Sequence, residues 1–496
     1  MFQLALVCAS ALSFAPACAR VEKTPDSGRP AATAVALSMP AASATLIPSE
    51  DQMDAALTTT RRADRSGRDA NGQLPQLPPE EHLRRATVYQ TNRAFNEARE
   101  HFQAIISRYP ESAEVPPALF GMGRTLFQER RYEEAIPYFE RLGNEYIQTE
   151  AGRDGYYYVA ATNLRLGRAA EAAARYIEYV GRFPDGERIE SAYLNVIDSL
   201  REAGRPEEAI PWVERTRERF KGTPHATNAL FARLRLDVAR SDWASALRTS
   251  EELSRLPLGR GVQTSQAEIA YLRAYSLERM GQREQAIKVL QTIPDSINSY
   301  HGALATERLK NLGAEARRAA EVREARVRAE VRRLAGNYPT PFRDTILRAT
   351  QERGVDPRLM LSIMRQESSF NPTAKSPAAA RGLMQLTADT AAVYAPRVRL
   401  TVREDDLYRP EVSILLASEY LAELFRLFPN LPEAVAASYN GGEDNMLRWV
   451  RRAVHRDPGV VTSEVGFSES KDYVAKVMSN YRAYRLLYTE DLRPRR

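Results

Sequence analysis

The sequence predicts a mainly α-helical protein: an N-terminal α-helical solenoid followed by a second, mostly helical domain. Two observations carry this. The first is a repeat: Ala98, Ala135, Ala172, Ala209 and Ala246 lie 37 residues apart, and Ala286 follows after 40. Phe102, Phe139, Tyr176 and Val213 keep the same spacing, as do Tyr109, Tyr146, Phe183 and Phe220, and Phe120, Tyr157, Leu194 and Phe231. Small residues recurring where helices cross, with bulky ones recurring between them, indicate stacked helical hairpins whose aromatic stripes are core rather than ligand platform. The second observation is a change of character near residue 337. An Ala-, Glu- and Arg-rich run from Leu312 to Leu334 is broken by Tyr338-Pro339-Thr340-Pro341, after which the period is lost.

Taken in order, residues 1–19 read as a signal peptide, with an apolar Leu4–Phe14 stretch and small residues in Ala15-Pro16-Ala17. Export to the periplasm or envelope is the expectation. Cys18 invites a lipid anchor, but the Leu usual three residues before a lipidated Cys is absent. Residues 20–80 are rich in Ala, Pro, Ser and Thr and nearly free of aromatics, which predicts a disordered linker. Residues 81–312 are the solenoid; their period is slightly longer than that of the tetratricopeptide repeat, which they resemble. Residues 313–336 should form a solvated connecting helix, and residues 337–496 the C-terminal domain, expected to carry any chemistry by itself.

Composition narrows the function. The chain has 496 residues, 43% of them hydrophobic, and a formal net charge of +6, without an apolar run long enough to span a membrane after the leader. A modest basic excess suits an anionic polymer or a membrane surface, yet no nucleic-acid motif is present and charges alternate in sign along the helices. Both cysteines lie in the first twenty residues and the five histidines are scattered. Neither metal ligands nor a disulfide framework is expected, and no cofactor is called for.

The most informative stretch is Gly354 to Ala392. Asp356 is a good N-cap and Pro357 suits the first helical position, so a helix should run from about residue 357 to Ser368 and stop before Asn371-Pro372. Met360, Ile363, Met364 and Glu367 then share one face. A carboxylate on an apolar face has its charged form disfavoured, which raises its pKa toward that of a general acid at neutral pH.

Glu367-Ser368-Ser369-Phe370-Asn371-Pro372, Ser376-Pro377, Gly382-Leu383-Met384-Gln385-Leu386, Thr390-Ala391 and Ala437-Ser438-Tyr439-Asn440-Gly441-Gly442 together resemble the motifs of the soluble lytic murein transglycosylases. The resemblance covers roughly residues 337 to 496 and implies a goose-lysozyme-like fold, with an N-terminal α-superhelix ahead of it. It implies that Glu367 is the catalytic acid and then base. It implies a substrate-binding groove of Ser368, Ser376 and Gln385, with Gly382, Leu383 and Met384 forming a turn close to the glycan and Tyr439 and Asn440 the opposite wall. The chemistry implied is cleavage of the bond between N-acetylmuramic acid and N-acetylglucosamine in peptidoglycan. The muramyl C6 hydroxyl, not water, attacks C1 and leaves a 1,6-anhydro ring, so one carboxylate suffices where most glycosidases need two.

The region holds other acids that a hydrolytic mechanism could recruit. Asp389 reads as a favourable charge at a helix N-terminus; Asp405, Asp406, Glu411, Glu443 and Asp444 read as solvated. Glu469 is a possible second acid, because Phe467-Ser468-Glu469-Ser470-Lys471-Asp472-Tyr473-Val474 is similar to a family segment with Thr and Arg where Ser470 and Lys471 stand. Lys471 cannot reproduce a planar two-pronged contact, which puts local geometry in doubt. Arg409, Ser413 and Ala417 depart from the Asn, Asn and Gly usual in the family, on a helix read as scaffold behind the groove. Three functions stand open: a lytic transglycosylase acting on peptidoglycan glycan strands, a goose-type hydrolase of the same bond, and a non-catalytic scaffold whose solenoid recruits a protein partner.

Overall fold

The computed structural model describes residues 50–495; the leader and Cys18 lie outside them. Among the described residues there are 23 α-helices and only isolated β-bridges, two of them centred on Arg381. The helical hairpins of the solenoid stack as the repeat requires. Ala98, Ala135, Ala172, Ala209, Ala246 and Ala286 are all fully buried at the helix crossings, and Phe102, Phe139, Tyr176 and Val213 are buried between them. The Tyr109, Tyr146, Phe183 and Phe220 series sits at helix ends and is only partly buried.

Two expectations need correction. The spacer predicted over residues 20–80 is not structureless throughout, because Glu50–Gly67 forms a leading helix. Its Leu57, Thr60 and Asp64 are buried on one face, and Asp64 accepts hydrogen bonds from Tyr89 and Arg85 of the next helix. A single stripe of buried residues within an Ala- and Thr-rich stretch is invisible to average composition. The connecting helix Ala314–Arg333 is likewise not simply solvated: Ala316, Ala320, Val327 and Val331 bury one side of it. Spacings of four and seven place them on one helical face despite the low apolar content.

The apolar core does not stop at residue 337. One continuous cluster runs from Phe231, Leu234, Leu272 and Tyr300 of the solenoid to Met360, Leu421, Val461 and Tyr473 of the C-terminal domain. Charged groups line the same junction. Glu464, 1% exposed, accepts from Arg201 and Arg235 of the solenoid and pairs with Arg452 at 3.3 Å. Arg448 donates to Glu202, Arg452 pairs with Asp198 at 2.9 Å, and Arg308 pairs with Asp457. The C-terminal domain is therefore packed on the solenoid as part of one core, an apolar and ionic junction that the sequence did not announce. Far along the chain, Arg61 of the leading helix lies 3.1 Å from Glu97 and 3.7 Å from Glu404 of the C-terminal domain.

Candidate active site

The acid helix spans Pro357–Ser368, with Pro357 in the first turn and the Asp356 carboxylate accepting from the Arg358 amide at 2.8 Å. Met360, Ile363 and Met364 are fully buried along one face. Glu367 continues that face and emerges partly buried. Withdrawal of water pushes its pKa up to about 8; the Tyr473 hydroxyl, donating to Oε1 at 2.6 Å, pulls the other way, and the charge of Glu469 adds to the rise. Burial and the nearby Glu367 hold the Tyr473 phenol well above its ordinary range, so Tyr473 is a neutral donor to the acid. Sequence reasoning did not single out Tyr473, although it lies within the segment compared around Glu469.

The chain after the acid helix is wound tightly. Ser369, Phe370, Ala379 and Gln385 all hold positive φ, between 47° and 68°, a concentration of strain typical of functional loops. Gly382 has φ 74°, and a Cβ there would lie 2.0 Å from the Leu407 carbonyl oxygen. Gly382→Ala should therefore cost about 2–4 kcal/mol, since strain and overlap act together. Urea denaturation of the variant measures this; a midpoint equal to wild type would mean the turn relaxes freely.

Most of the residues named from sequence lie in or against this turn, in different capacities. Ser368 donates to the Leu383 carbonyl at 2.8 Å, which ties the turn to the acid helix. Ser376 is 3% exposed and accepts from the Ala380 amide, while Leu383 and Met384 are fully buried. Gln385 donates through Nε2 to Ala374 and Gly382 carbonyls at 3.0 and 2.9 Å. Its Oε1 is buried without a hydrogen-bond partner. Tyr439 reaches across to the Met384 carbonyl at 2.8 Å, and Asn440 accepts from Ser470 at 2.6 Å. Ser413, read from sequence as scaffold, accepts from the Met384 amide at 3.2 Å and so touches the turn directly.

Glu469 is exposed at the start of helix Ser468–Leu487. Lys471 does not disturb this segment. Its ammonium meets the Gln263 and Ser463 carbonyls and Glu268 at 3.0 to 3.2 Å, which satisfies the three donors of a lysine against the solenoid. Glu443 and Asp389 are not simply solvated or capping charges; both accept from solenoid arginines. Among the described residues no group of His, Cys, Asp and Glu could hold a metal ion, and no helix is long and apolar enough to cross a membrane.

Residues 344–459 match a family described as the transglycosylase SLT domain, and residues 83–144, 160–224 and 268–296 match tetratricopeptide repeats. The soluble lytic murein transglycosylase of Salmonella typhimurium is 31% identical over 157 residues, 30% of this chain and 24% of the relative. That of Escherichia coli is 30% identical over 154 residues, again 30% and 24%. The matched part thus spans about a quarter of the length of these relatives. A solved lytic transglycosylase from Pseudomonas aeruginosa aligns over 88% of this chain and 79% of its own at 20% identity, with a TM-score of 0.47. The matched stretch 344–459 contains Glu367, and the matches together lead to one description: this chain joins tetratricopeptide repeats to a transglycosylase SLT domain.

Proposed function

We propose that the protein is a peptidoglycan lytic transglycosylase whose catalytic unit begins near residue 337 and whose acid and base is Glu367. The observation that carries this reading is a single carboxyl, raised to about 8 and hydrogen-bonded to a tyrosine rather than paired with a second acid. Protonated at neutral pH, Glu367 gives its proton to the glycosidic oxygen as the bond to N-acetylmuramic acid breaks. The substrate's N-acetyl group stabilises the positive C1. The Glu367 carboxylate then takes the proton from the muramyl C6 hydroxyl, whose oxygen attacks C1 and closes the 1,6-anhydro ring. No water enters, and the intramolecular hydroxyl gains from proximity. Tyr473, still a donor throughout, holds the carboxylate in the interval between its two proton transfers. The unpartnered Gln385 Oε1 is an acceptor suited to an N-acetyl amide N–H.

The leader-like residues Leu4 to Phe14 and the location of murein fit action in the periplasm or envelope. The solenoid's own C-terminal domain already occupies part of its surface, so a protein partner would dock elsewhere on it.

The product and the pH profile test this together. Because the free enzyme must hold the proton, kcat/KM should fall as pH rises through about 8. Mass analysis of digests should find mainly anhydromuramyl ends, one water lighter than reducing ends. Glu469→Gln should keep that product and lower the pH at which activity falls, since one of the charges raising Glu367 is removed. Mainly reducing ends, or a Glu469→Gln enzyme as inactive as one lacking Glu367, would favour a two-carboxylate hydrolase.

A further inference from the structure

Six hairpin turns of the solenoid share one backbone geometry. At residues 93, 130, 167, 204, 241 and 281 the chain turns left-handed, with φ between 58° and 77°. Each closes the preceding helix in the same way: the next residue's amide reaches back five residues, as from Ala94 to Tyr89 and from Arg131 to Leu126. Glycine suits such a position, and Gly167, Gly204 and Gly281 occupy three of the six. The other three are Arg93, Arg130 and Ser241, and every one of them touches the C-terminal domain.

Arg93 lays both prongs of its guanidinium on Asp389, at 2.9 and 2.6 Å. Arg130, one repeat later, does the same to Glu443, with Nη2 3.0 Å from Oε2. Ser241 Oγ lies 3.4 Å from His455 Nε2. A side chain at a left-handed turn is unfavourable in the repeat itself, so its presence where contact is made, and glycine elsewhere, marks the contact as the reason.

The two arginine contacts lead to two different elements that bear residues named for the groove. Asp389 stands in helix Ala388–Tyr394, four residues after Gln385. Glu443 also accepts from the Tyr420 hydroxyl at 3.1 Å; the Tyr420 ring packs against Tyr439 with centroids 5.3 Å apart, and Tyr439 bonds the Met384 carbonyl. We propose that Arg93 and Arg130 are positioning residues for the glycan groove, clamping from the solenoid its Gln385 side through Asp389 and its Tyr439 side through Glu443 and Tyr420. This rests on the reading of the groove as the glycan site.

The test is the full-length double variant Arg93→Gly/Arg130→Gly, which gives both turns the residue that three of the four later turns carry. The turns themselves are eased, so the melting midpoint should stay within about 2 °C of wild type. On soluble glycan strands KM should rise about tenfold while kcat changes less than about twofold, since Glu367 and Tyr473 are untouched. Amide hydrogen exchange should quicken at residues 382–394 and 432–445 and stay unchanged along the acid helix. Unchanged KM and exchange would overturn the assignment, and so would a melting midpoint that falls together with activity, which would make these ordinary stability contacts. If wild type itself fails to cut glycan, the functional reading falls while the exchange arm still decides: quickened groove walls support the clamp, and unchanged ones remove it.

Discussion

Glu367→Gln should abolish glycan cleavage, by about a thousandfold or more, in a protein that remains folded. The amide keeps the shape of the side chain and can still accept from the Tyr473 hydroxyl, yet it can neither deliver a proton to the glycosidic oxygen nor remove one from the C6 hydroxyl. A second effect separates loss of chemistry from loss of structure. The carboxyl of Glu367 is raised to about 8 from an ordinary value of 4.5. A group raised on folding stabilises the native state below its unfolded pKa and withdraws that support as pH climbs through its folded value. Wild type should therefore lose stability between about pH 5 and 8 in a way that the glutamine variant does not. Thermal melts of both proteins across that range, beside turnover on peptidoglycan, check the two halves. A folded variant with turnover near wild type would end the proposed mechanism.

Glu464→Ala should cost about 3–5 kcal/mol, since it leaves buried guanidinium groups with their shared carboxylate gone. Arg201, Arg235 and Arg452 all converge on Glu464, and each is buried. Burial alone would raise the Glu464 pKa, but these three arginines outweigh it and hold it below the ordinary glutamate range. Its contribution is then present above the unfolded pKa and lost as pH falls toward the lowered folded value, so the variant should lack that acid-side loss. Because the pocket joins solenoid and C-terminal domain, urea unfolding should show the transition splitting as well as shifting. A loss under about 1 kcal/mol would mean that the arginines find other partners or water.

The sequence shows the solenoid because a period of 37 leaves a record in any residue type it constrains, and buried alanines at helix crossings are such a type. It shows the acid helix to its ends, since Asp356, Pro357 and Asn371-Pro372 are local signals that tertiary structure had no reason to override. The turn of Gly382 and the wall of Tyr439 are legible only as motifs; that Ser368 ties to Leu383, and Ser413 to Met384, depends on placement in space. The leading helix was hidden because its information lies in Leu57, Thr60 and Asp64, three buried residues among its described side chains. Asp389 does stand in the first turn of its helix, but its arginine partner, like that of Glu443, stays hidden for a different reason: the partners lie 296 and 313 residues away, beyond any local rule.

Those distances along the chain also bear on the order in which the molecule comes together. Closing a loop of about 300 residues costs about 2 kcal/mol more entropy than closing one of 37, so neighbouring hairpins can stack well before the first repeats find the C-terminal domain. The repeats form a scaffold that grows by local steps, whereas Arg93 with Asp389 and Arg130 with Glu443 must wait for nearly the whole chain. The two walls named from sequence thus acquire their arginine contacts late. A half-assembled copy would possess Glu367 while Asp389 and Glu443 still lacked their arginine partners, so on the proposed function the timing of assembly would itself restrain activity.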